Sequence, residues 1–190
     1  MSFQTITRKG SFDSGHRVMN ERMKCYNVHG HTYLYELTYS FDESKSIGYA
    51  IDFKEIKRVA CQWIDDILDH GMILNPEDTD LIATTRKLGS KLWLMSLNGE
   101  GKYCNPTAEN ISKEIFLAMK ILFANYKHLE IYQVRLYETP NCFTDCVVKS
   151  ISKAEAKNFA LAREADIREY ANQKGVVEYD DRVMTRLDNP

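Results

Sequence analysis

Three histidines are the residues of this chain whose type and spacing point most directly to chemistry. His29-Gly30-His31 opens an alternating segment, and a period of two places both imidazoles on one face, with Gly30 adding no bulk between them. His16 ends a preceding segment that reads as extended, and an antiparallel neighbour would bring its ring beside the pair. Three neutral imidazoles with no fourth protein ligand describe a catalytic zinc site with an open position, because structural sites usually close with four ligands rich in cysteine. The His-Gly-His pair is equally compatible with a strand end that holds no metal.

Cys25 lies four residues before His29, flanked by Lys24, Tyr26 and Asn27 rather than by an apolar neighbourhood. A thiolate stabilised there by a cation can act as base or nucleophile, and an inert thiol is the other reading. Asp69-His70 pairs a carboxylate with an imidazole at a helix end, an arrangement suited to proton transfer. Glu138 stands just before Pro140, either as an acceptor for N–H groups of a ligand or as a solvated strand-end acid. Cys142 and Cys146 fit zinc-knuckle spacing poorly. His128 reads as a surface residue, and Cys61 and Cys104 read as thiols without a chemical role.

The elements that must position these residues are legible from periodicity. Phe3 to Ile6 reads as extended, and His29 to Phe41 alternates as a half-buried strand. Asp42-Glu43-Ser44 with Gly48 reads as a turn, and Tyr49-Ala50-Ile51 as its returning arm. Asp52 suits an N-cap for an amphipathic helix over residues 53 to 68, which Gly71 should stop. Residues 79 to 97 are open between helix and other structure. Pro106-Thr107 opens a second helix, in which Ile111, Ile115, Met119 and Leu122 share a face. Ile131 to Glu138 alternates Ile131, Gln133, Arg135 and Tyr137 against Tyr132, Val134, Leu136 and Glu138, and Cys146 to Ile151 reads as a further strand. From Ser152 to residue 173 a Lys, Glu, Ala and Arg mixture predicts an appended helix with a thin apolar stripe of Phe159, Ala160, Ile167 and Tyr170. Residues 175 to 190 are polar.

Bulk properties narrow the classes. The 190 residues carry 25 Lys and Arg against 27 Asp and Glu, so no excess positive charge advertises nucleic acid or an acidic membrane. Five cysteines and no opening signal segment argue for reduced thiols and a cytoplasmic protein. No apolar run approaches the roughly 20 residues that span a bilayer. The expected organisation is a catalytic domain over residues 1–151 and a helical extension with a tail over residues 152–190.

Taken together, Phe12 to Arg17, Cys25 to His31, Gly48 to Phe53, Leu68 to His70, Asn105 to Asn110 and Tyr137 to Thr139 resemble the corresponding blocks of the 6-pyruvoyl-tetrahydropterin and 6-carboxy-tetrahydropterin synthase family. The resemblance spans residues 12 to 139 and implies the tunnelling fold. That is an α+β subunit with a four-stranded antiparallel sheet and two helices on one face, its barrel closed by oligomerisation into a homohexamer, here with an appended C-terminal helix. It implies zinc on His16, His29 and His31, and 7,8-dihydroneopterin triphosphate as substrate. Cys25, Asp69 and His70 take the catalytic roles, the last two donated by a neighbouring chain, while Glu138 anchors the pterin, assisted by Thr107 and Glu109. Charge alone suggests that Arg17 faces the triphosphate. Three residues between Cys25 and His29 resemble the bacterial 6-carboxy-tetrahydropterin synthases of the queuosine pathway. The triphosphate elimination of the 6-pyruvoyl enzymes and a non-catalytic pterin-binding or metal-binding module remain alternatives. Gly71-Met72, the long stretch from Pro76 to Cys104 and the tail from Ser152 depart from the family pattern.

Overall fold

The computed structural model describes residues 4–20, 24–41, 50–126 and 128–175. Asp42 to Tyr49, which carry the expected turn and the first residue of its returning arm, lie outside these residues, as does the tail from 176 onward. Ala50 and Ile51 form bends rather than a strand.

β1 (Gln4–His16) and β2 (His29–Phe41) pair antiparallel along their whole length, from Gln4 opposite Phe41 to His16 opposite His29. β1 is much longer than the Phe3 to Ile6 segment expected. Thr7, Lys9, Ser11 and Asp13 show only half of an alternation, and pairing with β2 supplies what the local pattern lacks. α1 (Phe53–Ile56), a π-helical stretch (Lys57–Cys61) and α2 (Gln62–Ile67) form the first helical run. Asp52 caps it as expected, accepting from the Lys54 N–H at 2.8 Å. The run does not stop on Gly71: His70 takes the left-handed backbone, with φ 56°, and Gly71 already belongs to the next strand.

β3 (Gly71–Leu74), α3 (Thr79–Lys87) and β4 (Lys91–Leu94) form a parallel crossover unit; α3 and β4 fall in the stretch left open by the sequence, and β3 takes the segment between the expected helix stop and the Pro76 loop. Thr84 and Thr85 do not break α3, because their hydroxyls donate back to the Asp80 and Leu81 carbonyls at 2.9 and 2.7 Å. Gly89, with φ 66°, ends it. α4 (Ala108–Leu122) starts at Thr107 as expected. β5 (Leu129–Thr139) and β6 (Cys142–Val147) follow, and Val148–Ser150 turn as a 3-10 helix, so the strand expected over Cys146 to Ile151 begins and ends earlier. α5 (Lys153–Gln173) closes the described chain behind a Ser152 and Glu155 capping box.

Among the described residues the sheet has six strands in the order β4-β3-β1-β2-β5-β6. β1, β2, β5 and β6 pair antiparallel in turn, and the parallel pair β3 and β4 extends the sheet beyond β1, giving a mixed six-stranded sheet where four antiparallel strands were expected. The sheet is open. One face carries Phe12, Tyr33, Tyr35, Leu37, Tyr39, Val134 and Leu136 into a single core shared with α1, α2, α4 and α5. Its other face carries the ion pairs Lys9–Glu36 and Arg135–Asp145, both at 2.7 Å, beside exposed Leu34 and Phe143. The simple alternation expected over Ile131 to Glu138 fails at an irregularity opposite Thr38 and Tyr39. Ile131 therefore joins Val134 and Leu136 in the core instead of sharing a face with Gln133. No helix is long and apolar enough to cross a membrane among the described residues.

Candidate active site

His16, His29 and His31 meet at one end of the β1–β2 ladder. His16 closes β1 on the face of Phe12 and Ser14, while His29 and His31 precede Tyr33 on the same face of β2. The ring centroids stand 4.5 Å apart for His16 and His29, 5.3 Å for His16 and His31, and 5.0 Å for His29 and His31. One nitrogen from each ring lies within 4.8 Å of the other two.

Backbone carbonyls set the rings. His16 Nδ1–H donates to the Pro106 carbonyl at 2.8 Å, and His29 Nδ1–H donates to that of Asn27 at 2.7 Å, which leaves both Nε2 atoms as lone-pair donors. His16 is 1% exposed, and its Nε2 is a buried atom without a hydrogen-bond partner. Burial above all, with the neighbouring His29 and His31, pushes the His16 pKa down to about 4 against the opposing Pro106 bond, so the ring is neutral. An orphaned nitrogen facing two more imidazoles suits a borderline-soft divalent cation such as zinc.

Glu138 reaches the same cluster. It follows Leu136 on the core face at a second irregularity of the ladder, between Tyr137 and Thr139, and its Oε1 lies 3.7 Å from His16 Nε2 and 3.9 Å from His31 Nε2. A bulge of this kind re-aims a side chain beside a site. Cys25 sits in a 3-10 turn (Lys24–Tyr26) whose carbonyl at Cys25 accepts from the Val18 N–H at 2.8 Å, tying the turn to the end of β1. Tyr33 lies edge-on to His16 and His31, its hydroxyl buried without a hydrogen-bond partner. Burial, with Glu138 and Cys25 adding, raises its pKa well above the usual tyrosine range.

Thr107 accepts from the Asn110 N–H as the N-cap of α4, and Glu109 is exposed in the first turn. The stronger link of this block to the histidines is the Pro106 carbonyl, which sequence reasoning missed because a carbonyl has no residue-type signal. Asn105 locks it, its amide bonding Met19, Asn75 and Tyr103. Arg17, expected from charge to face the triphosphate, forms a bidentate pair through its guanidinium with buried Asp78, the N-cap of α3, and so fastens the loop after β1.

Asp69 and His70 are placed elsewhere. They precede β3, and their bonds run to Asp13, whose side chain points to the face of β1 opposite His16. His70 Nδ1–H donates to Asp69 Oδ2 at 2.5 Å. The pair shifts both pKa values, that of His70 upward and that of Asp69 downward, although partial burial opposes the latter. A groove of about 350 Å³ beside it is lined by Asp13, Ser14, Gly15, Gly30, His31, Thr32, His70 and Gly71. Within one chain Asp69 and His70 are thus tied to Asp13, on the face of β1 opposite His16, and of the three clustered histidines His31 also lines this groove.

A family model described as 6-pyruvoyl tetrahydropterin synthase matches residues 5–148. The chain is 37% identical over 144 residues to a Rickettsia felis protein named 6-carboxy-5,6,7,8-tetrahydropterin synthase, a match that takes in 73% of this chain and 96% of that one. Its fold is similar to that of an uncharacterized protein from Wolinella succinogenes, with a TM-score of 0.62 at 16% identity over 78% of this chain and 99% of the other. It is also similar to 6-pyruvoyl tetrahydropterin synthase from Caenorhabditis elegans, with a TM-score of 0.55 at 21% identity over 77% and 96% of the two chains. At these identities the two structures speak for the fold alone.

Proposed function

The chain belongs to the 6-pyruvoyl tetrahydropterin synthase family, and from that premise we propose that it is a zinc-dependent 6-carboxy-5,6,7,8-tetrahydropterin synthase. It acts on 7,8-dihydroneopterin triphosphate, releases acetaldehyde and triphosphate, and serves queuosine biosynthesis in the cytoplasm. The name carried by the Rickettsia felis relative favours this product over 6-pyruvoyl-tetrahydropterin. The observation that carries the metal reading is the orphaned, buried Nε2 of His16 beside the rings of His29 and His31.

In this reading the three imidazoles hold zinc, which when bound supplies a Lewis acid toward the hydroxyls of the substrate side chain. Cys25, as a thiolate, takes and returns side-chain protons. Glu138 accepts the N–H groups of the pterin, assisted by Thr107 and Glu109 at the start of α4. Asp69 and His70 move protons for the site of a neighbouring subunit in a homohexamer. The placement of the pair against Asp13, on the face of β1 opposite His16, supports that division.

Purified protein should contain about one zinc per chain and form the 6-carboxy product from 7,8-dihydroneopterin triphosphate. Cys25→Ala should keep its zinc and lose turnover by about 100-fold or more. Chromatography that finds only 6-pyruvoyl-tetrahydropterin would give the chain the other reaction. Tight pterin binding without turnover would make it a binding module, and full turnover by a metal-free preparation would end the zinc reading.

A further inference from the structure

The Asp69–His70 pair has a third member. Asp13 on β1 holds both residues through its main chain: its N–H donates to Asp69 Oδ1 at 2.7 Å, and its carbonyl accepts from the His70 N–H at 2.7 Å. Its own carboxylate is fixed in turn, because the Thr32 hydroxyl on β2 donates to Asp13 Oδ1 at 2.5 Å. One ligand-type atom from each of Asp13, Asp69 and His70 lies within 4.8 Å of the other two. His70 also carries a positive φ of 56°, a conformation that a non-glycine residue keeps only when its surroundings fix it, and the bond to the Asp13 carbonyl does so.

We propose that Asp13 is the positioning residue of the proton relay, with Thr32 orienting its carboxylate so that two anions from two separate elements flank the His70 ring. The inference rests on the reading that Asp69 and His70 move protons, and it adds what holds them ready. Asp69 Oδ1 is engaged by β1 and Oδ2 by the ring, so the carboxylate has no free rotation. The imidazole is thereby fixed through Nδ1, while the side chain as a whole stays 76% exposed and presents Nε2 outward. The charged groups facing it are Asp69 from its own loop, Asp13 from β1 and Lys91 from β4. Both carboxylates favour the imidazolium and Lys91 opposes it. Lys91 is itself occupied, its ammonium donating to the Asp65 and Asp69 carbonyls at 2.9 and 2.8 Å. The two carboxylates thus favour the protonated form that a general acid needs.

The test uses the full chain with zinc, comparing the parent with Asp13→Asn, an isosteric change that keeps both main-chain bonds and removes only the charge. Thr32→Val serves as an independent second variant, and NMR titration of the His70 ring, assigned with His70→Ala, is the readout. Asp13→Asn should move the His70 titration to lower pH and reduce turnover about tenfold, with zinc content unchanged. Thr32→Val should shift both in the same direction by less. A His70 titration identical in parent and Asp13→Asn overturns the proposal whatever turnover does. Parental turnover in His70→Ala removes the relay itself and so overturns the role given to Asp13, but with the titration shift intact it traces the error to the proposed function and not to the coupling of Asp13 to His70.

Discussion

A Cβ at Gly30 would sit 3.1 Å from the Ser14 carbonyl oxygen, so the residue between His29 and His31 leaves no room for a side chain against the β1 backbone. An added methyl must push the strands apart by a few tenths of an ångström, and His16, opposite His29, moves with them. Gly30→Ala should therefore cost about 1–3 kcal/mol of unfolding free energy in urea and release zinc more readily to a chelator. A variant as stable as the parent that keeps its metal would show that the ladder yields at no expense to the site. The histidine pair was legible in the sequence because a period of two is a local property. The Pro106 carbonyl, 90 residues from His16, and the Asp13 clamp, 56 residues from Asp69, were not. Their contribution is main-chain geometry, which leaves no trace in residue type.

At the scale of elements, α4 and α5 decide the stretch that periodicity could not. Glu114 of α4 is buried, its Oε1 accepting the Ser96 N–H at 2.5 Å and hydroxyl at 3.0 Å and its Oε2 the Trp93 indole N–H at 2.5 Å. From α5, the Arg163 guanidinium lies 4.2 Å from the Trp93 ring centroid and donates to the Leu94 carbonyl, while Asn158 donates to that of Leu97. The helix beyond residue 152, expected as an addition and lying outside the family match, thus shares the core through Phe159 and Ile167 and holds the β4 region in place. Burial raises the Glu114 pKa, against the hydrogen bonds from Ser96 and Trp93. The folded state then binds this proton more tightly than the unfolded state. Its contribution to stability is full below the ordinary glutamate range and falls as pH climbs toward the raised value. The melting temperature of Glu114→Gln relative to the parent should accordingly rise with pH across that window, and a difference that stays flat would refute the assignment.

The sheet carries candidate residues on both faces. The rings of His16, His29 and His31 share the face of Phe12 and Tyr33, whereas Asp13 points to the other face of β1 and ties Asp69 and His70 to it. If one site draws on both, it draws on two chains. Mixing Cys25→Ala with His70→Ala subunits after co-refolding should then restore up to about a quarter of parental activity, since random assembly reunites both intact halves at one site in four. Recovery no greater than the sum of the separate variants would confine each site to a single chain. The sequence alone determined the strand carrying His29 and His31, the cap at Asp52, the helix opening at Pro106-Thr107, the appended helix beyond Ser152, and the family, because alternation, capping, composition and motif order are written in neighbouring residues. Only the tertiary structure decided that β3, α3 and β4 widen the sheet, that Arg17 pairs with Asp78, and that Asp69 and His70 are tied to Asp13 on the face of β1 opposite His16. Each of these depends on which strand lies beside which, and strand pairing is set by burial and hydrogen bonding between segments far apart in the chain.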